Sequence, residues 1–247
     1  MGGLVARAAC VDSATAAKVH GVVHVAQPAS GAVMGYRRML TGRMLPMDDE
    51  NSVAQNRFFK SLFGTSPEAY VTLATGLPSI LELMPNQFYP SQANLPWLLT
   101  SPQVTTSNVY NIYPLTARPG IVIPSLLMAT PGLLGPLLQA QLIAGIKSAQ
   151  LFHTTLANRC HPNTYVIYGT GVETDTSVDL RSGLTVGRTK DGDGTVPVVS
   201  AACTGMAGVK ERFAVPGAEH ATLFKASGLT PSIGTMKTAE FVTKAML

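Results

Sequence analysis

One apolar run, residues 19–26 (VHGVVHVA), restricts the folds open to this chain more than any other stretch. It is rich in valine and nearly continuously apolar, which is typical of a strand buried on both faces of a parallel sheet. A helical pattern precedes it, and residues 27–31 (QPASG) follow it as a loop signal. This order of helix, buried strand and loop predicts the α/β class with a mostly parallel sheet.

His20 and His24 lie four residues apart within the same run. On a helix that spacing would place both rings on one face, where they could bind a metal ion. On a β-branched strand the geometry is poor. We therefore interpret both as core or strand-end histidines and predict no metal site.

The chain begins with the residues MGGLVAR, which match the second half of a nucleophile elbow. In that G-x-S-x-G motif a serine lies on a sharp strand-to-helix turn, and the next residue offers its backbone N–H to the oxyanion. Met1 would occupy that next position and Gly2 that of the closing glycine, so Gly2 and Gly3 would be the glycines of the elbow. The serine would directly precede Met1. An ordinary apolar helix preceded by glycines remains an alternative on these residues alone.

A glycine-flanked acid, Asp193, lies late in the chain within residues 190–197 (KDGDGTVP). A calcium loop would need an acid or amide in place of Thr195 and a glutamate in place of Ala202, so calcium is disfavoured. A plain glycine turn remains open. The third interpretation is an acid held at a strand end by a tight loop, as in α/β hydrolases.

A histidine follows the last predicted strand. Residues 212–215 have a strand pattern and end in the loop 216–220 (PGAEH), which carries His220. Residues 165–169 predict an earlier strand, and residues 235–247 predict a C-terminal helix. The order elbow, Asp193, His220 is the chain order of α/β-hydrolase triads and differs from that of chymotrypsin or subtilisin.

Composition narrows the classes of partner. The net charge is +4 and only 13% of residues are charged, about half the usual share of roughly 25%. No cluster of Lys and Arg indicates a nucleic-acid surface, so we predict no nucleic-acid partner. The three cysteines show no C-x-x-C spacing and favour free buried thiols. We predict no cofactor.

The middle of the chain carries almost no charge. No Asp, Glu, Lys or Arg occurs between Glu82 and Arg118, or between Arg118 and Lys147. The second stretch is long enough to span a membrane, but Pro124, Pro131 and further prolines and glycines interrupt it. We interpret residues 39–160 as an apolar cap or lid, with a plain packed subdomain as the alternative. Residues 1–38 and 161–247 would then form the core.

Taken together, these segments resemble the lipase-like α/β hydrolases related to lecithin:cholesterol acyltransferase. The resemblance rests on residues 1–7, 27–31, 192–197 and 216–220, at both ends of the chain. The cap matches loosely, through its apolar character and residues 83–85 (LMP). The implied fold is the C-terminal part of an α/β hydrolase, a doubly wound, mostly parallel sheet with a large, mostly helical cap.

The resemblance also implies roles. A serine would attack an ester carbonyl with His220 as general base, Asp193 would orient and stabilise the imidazole, and the N–H of Met1 would help to hold the oxyanion. No serine precedes Met1, and neither Ser30 nor Ser232 lies in an elbow. We therefore expect a misassigned start or a truncated gene, and a chain that is nearly inactive as written.

The predicted function is that of a serine-type esterase, lipase or acyltransferase acting on lipid or other acyl esters. The alternative is a non-catalytic lipid-binding or interaction protein that uses the apolar cap. Peripheral contact with a lipid surface is compatible with either. The sequence leaves the oligomeric state and the compartment, cytoplasmic or secreted, undetermined.

Overall fold

A computed structural model describes residues 2–42, 61, 66–89, 97–99, 105–106, 134–225 and 230–247 of the chain. Within this part the helices are α1 (Gly2–Ala9), α2 (Ser13–Ala16), α3 (Val33–Thr41), α4 (Pro67–Thr75), α5 (Pro78–Glu82), α6 (Leu134–Leu156), α7 (Val198–Ala201) and α8 (Ile233–Met246). The strands are β1 (Val22–Val25), β2 (Leu98–Leu99), β3 (Thr105–Thr106), β4 (Arg159–Thr170), β5 (Thr174–Asp179), β6 (Thr185–Thr189) and β7 (Ala207–Pro216).

The first sheet contains β1, β4 and β7 in that order, and all its pairings are parallel. Val25 is opposite Ile167, and Gly169 is opposite Val215. Because the strands run in one direction, the loops that follow β1, β4 and β7 emerge at the same edge. The α/β class predicted from the sequence is confirmed.

Both faces of this sheet are covered, which explains the apolar run of β1 and of the centre of β4. Ile167 on β4 packs with Phe241 of α8 on one face. On the other face, Val166 packs with Cys203, just beyond α7. On that second face Arg7 of α1 donates a hydrogen bond to the carbonyl of Ala29 at 2.8 Å, which fixes α1 against the loop after β1.

A second sheet has the order β3-β2-β5-β6 and mixes parallel and antiparallel pairs. Its strands β5 and β6 form a hairpin inserted between β4 and the loop of Asp193. No strand was predicted from the sequence in this Thr- and Gly-rich stretch. Its partner β2 lies far away in sequence, and the alternation of apolar residues in the hairpin is weak.

The predicted cap is only partly visible in the described residues. They contain α4, α5, α6 and the short strands β2 and β3. Residues of α4, α5, α6 and β2 pack with α3 and β5 around one buried cluster. A large, mostly helical cap is therefore not shown, and the predicted boundaries of 39–160 stay a prediction. The acids Asp48, Asp49 and Glu50 predict the start of a further helix, and these residues lie outside the described part of the chain.

Residues 65–68 (TSPE) have the sequence pattern of a helix start, with Glu68 three residues after Thr65, and α4 begins there with one difference. Ser66 rather than Thr65 is the N-cap, since its Oγ accepts a hydrogen bond from the backbone N–H of Ala69 at 3.2 Å, and Pro67 lies in the first turn. Among the described helices, none combines the length and the hydropathy required to cross a bilayer.

Candidate active site

The candidate site lies at the edge of the first sheet where β1, β4 and β7 end. Gln27 follows β1, Val172 follows β4 and His220 follows β7. Val172 forms a parallel bridge with Asp193, so the inserted hairpin returns the chain to the end of β4 before the acid. The fold thus brings the two loops singled out in the sequence to one edge.

Asp193 and His220 contact each other directly. His220 Nδ1 lies 2.8 Å from Asp193 Oδ2, and the backbone N–H of His220 donates to the carbonyl of Asp193, also at 2.8 Å. The side chain of Asp193 is fully buried, whereas 36% of the His220 side chain is exposed. With its proton on Nδ1, the imidazole donates to the carboxylate and presents Nε2 as a proton acceptor.

The second oxygen of Asp193 is held by its own loop. Oδ1 accepts hydrogen bonds from the backbone N–H groups of Thr195 at 3.0 Å and Val196 at 2.7 Å. Gly194, with φ +85°, turns the chain tightly enough for both amides to reach the carboxylate. The glycines around Asp193 therefore have a definite function, which is to wrap the backbone around the acid.

His220 also lines a pocket of about 410 Å³. Gly2 and Gly3, at the N-terminal end of α1, lie on the wall of the same pocket. Pockets for small ligands have volumes of roughly 300–1,000 Å³, so this one can hold part of a substrate. The start of a helix carries free backbone N–H groups and the positive end of the helix dipole, both of which favour negative charge nearby.

Met1, predicted to supply an oxyanion N–H, lies outside the described residues. The structure brings together the remaining site residues from the sequence analysis, namely Gly2, Gly3, Asp193 and His220. The described residues contain no group of three or more His, Cys, Asp and Glu placed to bind a metal ion. His24 is instead buried within β1, at 3% exposure.

The two serines considered as substitutes lie outside this pocket. Ser232 caps α8: its Oγ donates to the carbonyl of Leu223 at 2.9 Å and accepts from the N–H of Thr235 at 3.1 Å. Ser30 is 1% exposed and does not line the pocket. Neither hydroxyl is placed to react with a substrate bound beside His220.

Two further residues of the pocket were missed in the sequence. Gln27 and Arg38 both line it. Gln27 was noted only as part of a loop signal, and Arg38 was not singled out. A polar residue directly after a buried strand was the available sign for Gln27, whereas nothing in the sequence distinguishes Arg38 from its neighbour Arg37.

Comparisons with known proteins concern the fold. No family model matches the sequence, and no curated protein matches it. Among solved structures, the crystal structure of the Tle4–Tli4 complex matches with a TM-score of 0.65 at 20% identity, over 100% of this chain and 58% of that chain. The chain thus spans less than two thirds of the matched protein. At this identity the likeness shows the fold alone, a mixed α/β fold with a mostly parallel sheet.

The resemblance to the lecithin:cholesterol acyltransferase family was wrong. No family model supports it, and the structural likeness is to Tle4. The motifs that carried the resemblance are short Gly- and Pro-containing loops at strand ends. Any α/β hydrolase needs such loops to bring an acid and an imidazole to one edge of a parallel sheet, so they indicate the fold and not that family.

Proposed function

We propose that this chain carries the acid and base of a serine-type hydrolase that cleaves acyl esters. The observation that carries the proposal is the hydrogen bond of 2.8 Å between His220 Nδ1 and the buried Asp193, at a pocket that the start of α1 also lines. The α/β-hydrolase fold supports it, because that fold presents catalytic groups at this edge. The nucleophile is a serine directly preceding Met1.

The chemistry follows the roles of the three groups. His220 Nε2 takes the proton of the serine hydroxyl as its Oγ attacks the ester carbonyl, and the carbonyl oxygen becomes an oxyanion. The backbone N–H of Met1 and the dipole of α1 stabilise that charge. The intermediate collapses, the alcohol leaves with the proton from His220, and water then releases the acid by the same steps.

Asp193 acts through His220. Its carboxylate keeps the proton of the imidazole on Nδ1 and stabilises the imidazolium that forms during attack. Because two backbone amides already hold Oδ1, the carboxylate cannot rotate away from the ring. The pocket wall beside it includes Met34 of α3 and Leu83, from the segment proposed as the cap, which offer apolar surface to an acyl chain.

The test compares two chains, the printed 247 residues and the same chain preceded by its in-frame upstream residues. We expect the extended chain to hydrolyse p-nitrophenyl butyrate and the printed chain to be inactive, because only the former holds the serine. His220→Ala should lower kcat of the extended chain by at least about 10³-fold. Ser232→Ala, at the cap of α8, should leave kcat unchanged.

Three results would overturn the proposal. Turnover that survives His220→Ala would remove the base from the mechanism. Turnover by the printed chain that requires His220 would place the nucleophile elsewhere. Binding of ester without turnover by the extended chain would favour a non-catalytic lipid-binding protein.

A further inference from the structure

The pocket beside His220 is lined by basic side chains without acidic ones among the described residues. Among the described residues that line it, the ionisable ones are Arg38 and His220, and no Asp or Glu is present. The carboxylate of Asp193 lies behind the imidazole, fully buried and occupied by His220 and two amides. The cavity is therefore positively charged on the side of Arg38.

Adjacent arginines on α3 differ in their partners. Arg37 Nε lies 2.6 Å from the buried carboxylate of Asp175, which also binds Arg188 at 2.9 Å. Arg38 forms no ion pair or side-chain hydrogen bond with any described residue, and its Nε is buried without a partner. Burial lowers the pKa of Arg38 from its ordinary value. Arg37 thus has a structural role, whereas Arg38 points a half-buried, unpaired guanidinium at the pocket.

A second unpaired polar group lies in the same cavity. Gln27 is only 3% exposed, yet its side-chain amide nitrogen and oxygen have no hydrogen-bond partner among the described residues. The amide lies against Gly3, where a Cβ would be only 2.6 Å from Gln27 Cδ. Buried polar groups are nearly always hydrogen-bonded, so an unpaired amide at a cavity wall indicates that a ligand supplies the partner.

We propose that Arg38 and Gln27 form a subsite for an anionic oxygen group, a carboxylate or a phosphate, carried by the ester substrate. This inference rests on the proposed function, with the ester carbonyl at His220 and the anionic group at Arg38. The guanidinium donates charge-assisted hydrogen bonds to the anion, and the Gln27 amide adds an N–H donor. The Gln27 carbonyl is free to accept from a substrate hydroxyl.

A cavity built for a wholly neutral acyl chain would not contain these two residues. An unpaired guanidinium opposes the burial of apolar atoms beside it, because the charge would lose its remaining solvent. A bound anion removes that cost, because its oxygens replace the water that the guanidinium loses. The subsite therefore predicts discrimination between esters that differ only in charge.

The test is a binding measurement on the printed 247-residue chain, which needs no nucleophile. Monomethyl glutarate, an anionic ester, is compared with dimethyl glutarate, a neutral ester of nearly the same size. Titrations are followed in ¹⁵N–¹H spectra that include the arginine Nε–Hε signals. We expect the anionic ester to bind at least about tenfold more tightly, the effect of one charge-assisted hydrogen bond, and to shift the Arg38 Nε–Hε signal.

Variants show which residues cause the preference for the anionic ester. Arg38→Gln should make the affinities for the two esters nearly equal. Gln27→Glu, which places a negative charge in the same pocket, should do the same. Arg181→Gln is the matched control, because it removes the same charge at an exposed site where Arg181 pairs with Asp179 at 2.6 Å. A thermal unfolding curve for each variant identifies any that fail to fold, and Arg38→Lys, which keeps the charge, should retain part of the preference.

Inorganic phosphate separates the two forms of the anion. Competition with monomethyl glutarate for the Arg38 signal assigns the subsite to phosphate as well as carboxylate, and failure to compete assigns it to carboxylate. Equal affinities for the two esters, or a preference that survives Arg38→Gln, would overturn the proposal.

The binding preference for the anionic ester does not depend on catalysis. His220→Ala should leave the anion preference intact while it abolishes turnover in the extended chain. A preference without any turnover would contradict the proposed function and retain the subsite. Turnover without a preference would contradict the subsite alone.

Discussion

Backbone groups make more of the hydrogen bonds that hold Asp193 and His220 in place than side chains do. Both carboxylate oxygens of Asp193 accept N–H donors, and the carbonyl of the same residue accepts the backbone N–H of His220. The loop that carries the base is thus bound to the loop that carries the acid by main chain as well as side chain. Such an arrangement fixes the imidazole before any substrate arrives.

Substitution of Asp193 by Asn tests the role of this charge. The amide keeps the size of the side chain but favours the wrong imidazole tautomer, so kcat of the extended chain should fall by roughly 10³–10⁴-fold at neutral pH. Glu219→Gln, an exposed neighbour of His220, removes the same charge and should have little effect. Equal losses in both variants would show that the effect is general electrostatics.

His153 is a buried histidine outside the proposed site. The amide nitrogen of Asn86 lies 2.9 Å from its Nδ1, and its Nε2 lies 2.8 Å from the carbonyl of Glu82, so it links α6 to the segment after α5. Burial lowers the pKa of His153 to about 4. The neutral ring is therefore the folded form, with the proton on Nε2.

This shift predicts acid sensitivity. The unfolded chain takes up a proton near pH 6.5 and the folded chain only near pH 4, so the stabilisation is complete above 6.5 and is lost as the pH falls toward 4. The loss should amount to roughly 3 kcal/mol. Urea unfolding at several pH values measures it, and His153→Leu should show a shallower pH dependence. An unchanged dependence in that variant would assign the effect to other groups.

At this scale Asp193 and His220 were predicted from the sequence, whereas Gln27 and Arg38 of the pocket were not. Asp193 lies between two glycines, and His220 follows a strand pattern in a Gly-containing loop, so local signals identify them. Arg38 differs from Arg37 only through Asp175, an acid far away in sequence that binds one arginine and not the other. No local pattern can show which of two adjacent cations remains unpaired.

At the scale of elements, the end of β4 sets the distance between the loops of Asp193 and His220. A Cβ on Gly169 would collide with the carbonyl oxygen of Ala218 and lie 2.7 Å from the Cβ of Asp193. Gly169 is therefore the position where strand, acid loop and histidine loop meet. Only glycine allows this approach.

Gly169→Ala should separate the acid from the base. The loop of His220 must move to relieve the collision with Ala218, and a displacement of about 1 Å can cost about 10²-fold in rate. We expect a lower kcat with a smaller change in KM, measured on the extended chain. A folded variant with unchanged kcat would show that the contact does not position the histidine.

The predictions of secondary structure were accurate for elements that form or cover the first sheet, which is buried on both faces. Residues 165–169 were predicted as a strand and fall inside β4, and the C-terminal helix is present as α8. The β5–β6 hairpin was not predicted, because its strands are polar and depend on β2 for pairing. Its insertion moves Asp193 away from β4 in sequence while leaving it at the end of β4 in space.

At the scale of the whole molecule, one apolar cluster joins segments from distant parts of the chain. It includes Trp97, the single tryptophan, whose ring lies edge-on to Tyr36 of α3 at 5.3 Å, and Leu142 of α6. Val178 of β5 belongs to the same cluster. The segment proposed as the cap and the second sheet therefore share one core.

Leu142→Ala should weaken this shared core. Leu142 is 1% exposed, and removal of such a side chain costs about 2–5 kcal/mol. Ile143→Ala, at a neighbour that is 40% exposed, is the control and should cost much less. Trp97 fluorescence and far-ultraviolet circular dichroism should shift together in urea. A shift in fluorescence alone would show that the cluster unfolds separately from the first sheet.

The central claim is that Asp193, His220 and the start of α1 serve a serine directly before Met1. The most direct test treats the extended chain with a fluorophosphonate and maps the adduct by peptide mass spectrometry. The account predicts a single phosphonylated serine immediately preceding Met1, with labelling lost in His220→Ala. An upstream reading frame without that serine, or an adduct mapped to Ser30 or Ser232, would contradict it.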